Sequence, residues 1–211
     1  MQSEAKARWI RTRTLYGIEG TMEADSYVDR RLNHVEFVHR PGERDLVFAL
    51  FDLLGFETEV LPDGEVILGI VDPATFKKVN NDNVLAGREV RPEQWAFDQA
   101  LAEALHHEPL ASAFAGQREL HLRKPQWGMH FGINFSSLEK WEAAVARVKG
   151  VEKHAPALHG RAQLCAVFRP DDPEPVSIVH QAFLWTDVIA SGSLALGQRI
   201  ELSTVVSPGE Q

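Results

Sequence analysis

The chain has 211 residues, of which 44% are hydrophobic and 25% charged, a composition typical of a globular protein that buries its own core. Its formal net charge of −8 would repel a phosphate backbone, so a nucleic-acid partner is not expected. The longest apolar runs, such as Leu46–Leu54, are far shorter than the roughly 20 residues that cross a bilayer, which argues against a membrane protein. A single cysteine, Cys165, cannot form an intramolecular disulfide, so we expect a cytoplasmic location.

Residues 1–31 are polar and irregular, and we interpret them as an N-terminal arm. The first regular pattern is Leu32–Val38, whose period-2 alternation predicts a strand. A helix is predicted over Glu43–Leu54 because its apolar residues recur at helical spacing, and Gly55 would end it in the left-handed conformation. We therefore assign residues 32–90 to a first β-α-β-β-β module. Its three later strands are predicted over residues 57–60, 65–71 and 83–90.

Residues 91–126 lie between two β-rich halves, and we interpret them as a helical linker or lid. A helix is predicted over Pro92–His107, with Pro92 in its first turn, where a missing backbone N–H costs nothing. Two apolar stripes are compatible with this helix: Trp95, Ala102 and Leu105, or Phe97, Leu101 and Leu105.

Residues 127–211 repeat the order of the first half. Met129–Phe135 alternates like a strand, and Ser136 and Glu139 have the spacing of a capping box at the start of a helix. The sequence therefore predicts an α+β fold with two β-α-β-β-β modules and an inserted helix between them. The second helix has one apolar face, formed by Trp141, Ala144, Val145 and Val148. The later strands are predicted over residues 161–168, 177–187 and 198–205.

The order of these motifs resembles the vicinal-oxygen-chelate superfamily, the group of glyoxalase, bleomycin-resistance and extradiol-dioxygenase proteins. The resemblance implies that each module forms half of an open barrel and that paired modules enclose a pocket for a divalent metal ion. It also implies that such chains pair, so we expect a homodimer. The segments that carry it are Leu32–Val38, Asp52–Glu57, His130–Phe135, Leu138–Lys149 and Arg199–Leu202.

The resemblance implies metal ligands from first and last strands, which in this chain are His34, His130 and Glu201. The two histidines occupy equivalent places in the two halves. Two imidazoles and one carboxylate leave open positions for water or a bidentate oxygen substrate, and they suit Fe²⁺, Mn²⁺, Ni²⁺ or Zn²⁺. Glu201 is also a candidate catalytic residue. Glyoxalase-like members use a fourth ligand, for which Glu89 is the candidate here; the alternative is a surface carboxylate beside Arg88.

Further candidates lie in the second half. His180 belongs to a strand that should line the second module's pocket, where it could act as a general acid or base near neutral pH. The alternative is a buried structural histidine. The candidate substrate-binding residues are four aromatic side chains that a core would also need: Trp127, Phe131, Phe183 and Trp185.

The reaction type is constrained by one departure from the family pattern. Extradiol dioxygenases carry a tyrosine and a proline-glycine segment before the last-strand glutamate, whereas Ile189–Gly197 contains neither. Catechol ring cleavage is therefore less favoured than other metal chemistry. Three functions stay open: a metal-dependent lyase, isomerase or dioxygenase for a small vicinal-oxygen substrate; a metal-free binding or resistance protein; or a structural, partner-binding protein whose pocket is filled by its own side chains.

Overall fold

A computed structural model describes residues 33–73, 76, 83–170, 172 and 179–204, all within one compact unit, Asn33–Gln211. Within these ranges the chain is α+β, with five α-helices and nine strands in two sheets, and neither sheet closes into a barrel. The predicted arm, residues 1–31, lies outside the described residues. No helix of the described ranges has both the length and the apolar character needed to span a bilayer.

The first half contains the predicted strand, helix and three strands. Gly55, at φ 82°, ends the helix in the left-handed conformation, as predicted. The last strand of this half lies parallel to the first, and the other pairings are antiparallel. The elements are β1 (His34–His39), α1 (Arg44–Leu54), β2 (Glu57–Val60), β3 (Ile67–Ile70) and β4 (Val84–Glu89), with sheet order β2-β3-β4-β1.

The insertion differs from its prediction. The single helix predicted over Pro92–His107 is shorter, α2 (Pro92–Ala104), and a second helix follows it, α3 (Leu110–Arg123). Pro92 stands in the first turn of α2, as predicted. The apolar periodicity of α3 is weak because none of its side chains is fully buried, so its sequence contains no clear core-facing stripe.

The second half repeats the connectivity of the first, with its last strand parallel to its first. The N-cap of its helix is Ser137, whose Oγ accepts from the backbone N–H of Lys140 at 3.3 Å, so the predicted cap at Ser136 is wrong by one residue. Ser136 Oγ instead accepts from Lys140 Nζ. The elements are β5 (Phe131–Asn134), α4 (Leu138–Lys149), α5 (Val151–His154), β6 (Ala162–Phe168), β7 (His180–Thr186), β8 (Ile189–Ala190) and β9 (Gln198–Thr204).

The second sheet has the order β5-β9-β7-β6, and β8 does not belong to it. This two-residue strand, which was not predicted, pairs antiparallel with the end of β1, where Val38 is opposite Ala190 and His39 is opposite Ile189. A strand of the second half therefore extends the sheet of the first half.

The two halves share one hydrophobic core. Helices α1 and α4 pack on each other, and each packs on its own sheet. Phe51 of α1 lies edge-on to Phe37 of β1, with ring centroids 5.6 Å apart. Trp141 of α4 is fully buried, and its Nε1–H donates to the carbonyl of Leu202 at 2.8 Å. Removing either ring would therefore open a cavity in the same core.

Four charged residues, which we call the inter-half network, also join the halves. Arg161 donates to both carboxylate oxygens of Glu43, at 3.1 and 2.7 Å, and to Asp187. Arg40 donates to the other Asp187 oxygen at 2.9 Å. Hydrogen bonding to Glu43 raises the pKa of Arg161, with Asp187 adding to the shift against the opposing effect of burial. The paired carboxylates therefore hold the guanidinium firmly in its charged form.

Candidate functional site on the second sheet

Each sheet has an outer face, which we define as the face turned away from α1 and α4. Side chains alternate between the two faces along a strand, so every second residue belongs to the outer face. In the first sheet the outer face has a buried apolar cluster, formed by Val66, Leu68, Ile70, Val84 and Ala86, and alternation also places the accessible residues His34, Glu36 and Arg88 there, with Arg88 paired to Glu36 at 3.3 Å. In the second sheet it carries polar and charged residues, namely His130, Gln181, Arg199, Glu201 and Ser203.

His130 and Glu201 meet on this outer face. The residue immediately before β5 is His130, and its Nε2 lies 3.1 Å from Glu201 Oε2 in β9. Its Nδ1 lies 2.7 Å from the carbonyl oxygen of Gly128. Both partners are acceptors, so the ring donates to both when it carries two protons, and the contact with Glu201 is then charge-assisted. The side chains are 21% and 15% exposed, which leaves the pair within reach of a bound molecule.

Gln181 and Phe183 hold this pair in place. Gln181 Nε2–H donates to Glu201 Oε1 at 2.8 Å, so each carboxylate oxygen has its own partner. Phe183 of β7 is paired directly with Glu201 of β9 and is fully buried. Its ring lies edge-to-face with the His130 ring, with ring centroids 5.3 Å apart. The Phe183 ring thus supports a half-buried array of polar side chains in which Glu201 bonds to both His130 and Gln181; we call these three residues the His130 array.

The third implied metal ligand lies elsewhere. His34 begins β1 in the first sheet, its side chain is 45% exposed, and its ring nitrogens face Asn33 and Glu36. The possible fourth ligand, Glu89, accepts from the backbone N–H of Gly42 at 2.9 Å and so holds the turn before α1. Across the described residues, no three His, Cys, Asp or Glu side chains come close enough to hold a metal ion. In the part of the chain that the structure describes, only His130 and Glu201 of the implied ligands lie together, and two ligands are fewer than metal sites in proteins use.

His180 lies on the opposite side of the second sheet from Glu201. It is 9% exposed, and its ring packs against Trp141 of α4 with centroids 5.1 Å apart. Alternation along β7 places it with Ala182 and Leu184, which belong to the shared core. In this position His180 does not reach the His130 array.

The predicted aromatic residues are divided between different surroundings. Phe183 underlies the His130 array, and Trp185 shares its face two residues along β7. Phe131 instead packs against the shared core. Trp127 is 69% exposed, with Lys124 Nζ 5.0 Å from its ring centroid.

Basic residues lie at the other end of the same outer face, and the sequence interpretation missed them. Arg199 is two residues before Glu201 in β9, so the alternation alone would have placed it there. Burial lowers the pKa of Arg199; the interaction with Cys165 opposes this shift, and the neighbouring charge of Arg118 in α3 adds to it. Burial also lowers the pKa of His121, with the charge of Arg199 as the second cause. Cys165 lies in the same region, and burial raises the pKa of its thiol.

Two open depressions lie away from this face. One, of about 400 Å³, is lined by Trp95, Asp98 and Leu194 among others, and the second, of about 390 Å³, is lined by Asp98 and the loop around Gly192. Asp98 itself is 2% exposed and accepts from Ser193 Oγ, which fastens α2 to the segment after β8. Neither depression includes a residue of the His130 array.

Neither a protein-family model nor a curated protein matches the chain. The resemblance to the vicinal-oxygen-chelate superfamily is thus supported by the order of short motifs alone. What can be inferred about function comes from the chemistry of the outer face.

Proposed function

We propose that this protein has the module architecture of the vicinal-oxygen-chelate superfamily and binds a small molecule, without a metal ion, on the outer face of its second sheet. The observation that carries the proposal is the His130 array. In it Glu201 bonds to both His130 and Gln181, His130 also bonds to the Gly128 carbonyl, and the His130 ring packs against the buried ring of Phe183. A few convergent polar groups against aromatic side chains are the usual composition of a small-molecule site.

Comparison with the first sheet supports a functional role for the array. The first sheet has the same connectivity, and the outer-face side chains that it buries are apolar, whereas its charged outer-face pair, Glu36 and Arg88, is 52% and 40% exposed. Burying a carboxylate and an imidazole is costly unless they are paired. A sequence under selection for stability alone would favour apolar residues at these positions.

The ligand would meet the array as follows. Glu201 accepts a hydrogen bond from a hydroxyl or amine of the ligand, because a carboxylate has acceptor capacity beyond its two present partners. His130 is oriented by its bond to Gly128, which fixes the ring plane before the ligand arrives. The half-buried rings of Trp185 and Phe168 offer apolar contact on the same side of the sheet.

The proposal is tested by screening small molecules against the full chain by NMR and mapping the backbone amide signals that shift. Compounds that bind are expected to shift the amides of Gln181, Gly132 and Ser203. Since a hydrogen bond to a charged group contributes roughly 1.5–3 kcal/mol, Glu201→Gln should weaken their binding by about tenfold or more. The matched control is Glu65→Gln, which removes an exposed carboxylate paired with Arg91 on the first sheet and should leave affinity unchanged.

A metal-dependent enzyme is the second candidate, and one observation favours it. The Nδ1–H bond to a backbone carbonyl, with Nε2 turned toward a carboxylate, is how metal-binding histidines are commonly oriented. Such a site needs at least one more ligand than the described chain supplies. Elemental analysis of the untagged wild type and of His130→Ala separates the two candidates. Near-stoichiometric metal that is lost in the variant supports the enzyme. Binding of the screened compounds that a metal chelator does not change supports the metal-free protein.

A further inference from the structure

We propose that Arg118, His121 and Arg199, which we call the basic cluster, form a binding site for an oxyanion, the carboxylate or phosphate group of a small molecule. This proposal rests on the proposed function in one respect only: the other end of the same molecule would reach the His130 array. The anion site itself can be tested alone.

The three side chains converge on one place. Arg199 is paired directly with Trp185 across β9 and β7, and the Arg118 guanidinium lies 5.7 Å from the centroid of the Trp185 ring. His121 follows Arg118 by three residues on α3, so both belong to one face of the helix. A Cβ atom placed on Gly128 would be 3.2 Å from both Arg199 Nη1 and His121 Cδ2, so these side chains pack against the same glycine.

The arginines of this cluster differ from the other arginines in the described ranges. Eight others donate to a carboxylate or a backbone carbonyl within 3.5 Å. Arg118 has ring contacts with Phe114 and Trp185 but no carboxylate partner, and Arg199 has neither a carboxylate nor a carbonyl partner, among the residues that the structure describes. The eight arginines that do have such a partner are Arg40, Arg44, Arg88, Arg91, Arg123, Arg147, Arg161 and Arg169.

Electrostatics favours an anion at this position. Two guanidinium groups without a counter-charge repel each other, and burial of Arg199 removes part of the water that screens them. An oxyanion would accept from both, since the guanidinium fork matches the spacing of carboxylate and phosphate oxygens. Burial is the first cause of the lowered pKa values of Arg199 and His121, and a neighbouring guanidinium adds to the lowering in each case.

The position of the cluster also defines the ligand. Arg199 and Glu201 are two residues apart on one face of β9, which separates them by roughly 7 Å. A molecule that binds both ends therefore carries an anionic group and, about that far away, a hydrogen-bond donor for Glu201. Trp185 opposite Arg199 and Phe183 opposite Glu201 offer aromatic contact to a flat connecting group.

The first measurement is an NMR titration of the full chain with benzoate, with its neutral analogue benzamide and with inorganic phosphate, in a buffer without other oxyanions. Benzoate is expected to shift the amides of Gly128 and Arg199 and to bind at least about tenfold more tightly than benzamide, because only the carboxylate forms charge-assisted bonds. Phosphate should compete with benzoate, whereas chloride at equal ionic strength should not. Equal binding of benzoate and benzamide would overturn the proposal.

Variants then assign the site to its residues. Arg199→Gln and Arg118→Gln should each weaken benzoate binding by about tenfold or more, given the strength of hydrogen bonds between charged groups. The control is Arg123→Gln on the same helix, whose side chain pairs with Glu119 and should not matter. Arg199→Lys keeps the charge without the fork and should lie between wild type and Arg199→Gln, provided that thermal unfolding shows each variant folded. Equal losses in Arg123→Gln and Arg199→Gln would contradict the assignment.

A last comparison separates this inference from the proposed function. 4-Hydroxybenzoate adds a donor opposite the carboxylate and should bind more tightly than benzoate in wild type but not in Glu201→Gln. If benzoate binding requires Arg199 while the added hydroxyl gains nothing, the anion site stands and the role of the His130 array fails. If screened compounds require Glu201 but are insensitive to Arg199 and to charge, the proposed function stands and the anion site fails.

Discussion

The two sheets of this protein have the same connectivity but differ in the side chains that their outer faces bury. In the first sheet the buried part of the outer face is an apolar cluster and the charged pair of Glu36 and Arg88 is exposed, whereas the outer face of the second carries the partly buried His130 array and Arg199, with Arg118 and His121 of α3 beside it. The inner faces are alike, because both pack on the shared core of α1 and α4. The difference indicates that stability is provided by the inner faces together, whereas the partly buried polar network lies on the outer face of the second sheet.

The largest effect should come from the shared core. Trp141→Ala and Phe51→Ala, one from each half, should each lower the free energy of unfolding by about 3–5 kcal/mol, because both rings are fully buried. Trp141→Ala also leaves the Leu202 carbonyl without its donor. Urea unfolding followed by fluorescence and circular dichroism should give one coincident transition for both variants. Separate transitions for the two halves would show that the core is not shared.

The inter-half network should come next. Arg161→Met leaves Glu43 and Asp187 without their strongest partner. Because these carboxylates are only about one-fifth exposed, we expect the free energy of unfolding to fall by about 2–3 kcal/mol. Arg91→Met is the control, because Arg91 and Glu65 are more than half exposed and their pair should contribute less than about 1 kcal/mol. Similar losses from the two substitutions would mean that the network contributes no more than a surface ion pair.

A pair of glycines tests the difference between inner and outer faces. A Cβ atom on Gly87 would lie 2.0 Å from the ring of Phe37, so Gly87→Ala should cost about 1–3 kcal/mol by overpacking. A Cβ on Gly132 would lie 3.8 Å from Glu201 Cβ, an ordinary contact, so Gly132→Ala should change unfolding free energy by less than about 0.5 kcal/mol. Thermal and urea unfolding measure both, and a larger cost at Gly132 would contradict the assigned faces.

The smallest effect concerns the basic cluster. Arg199→Gln removes the second cause that lowers the pKa of His121, so this pKa should rise toward its ordinary value while burial still holds it down. Because the pKa of His121 is lower in the folded chain, the unfolded chain binds the proton more readily. The wild type therefore loses stability as the pH falls through the ordinary pKa of histidine, and the variant should lose less. Proton NMR of the histidine rings measures the shift. His159, exposed and paired with Glu152, is the internal control and should not change.

Local periodicity predicted most of the fold. Period-2 and helical patterns located β1, α1, α4 and β9 to within one or two residues, because each has one strongly buried side. The two-residue β8 was missed since its pairing with β1 depends on a contact between the halves. Helix α3 was missed because it has no buried face.

The order of the strands in the sequence predicted part of the candidate site. Last-strand Glu201 and first-strand His130 lie together because β5 and β9 are neighbours within one sheet, while their role as metal ligands stays a prediction. His34 belongs to the other sheet, and its distance from the array depends on how the halves pack, which no local pattern encodes. Arg118 and His121 come from α3, so only the tertiary structure could bring them to Arg199.

The short strand β8 also has a consequence for how the protein can be divided. It covers the edge of β1 at Val38 and His39 with backbone contributed by the second half. A fragment ending before Ile189 would present that edge to other chains, which is how edge-to-edge aggregation begins. The second half thus protects an edge strand of the first half, and the two cannot be separated without exposing that edge.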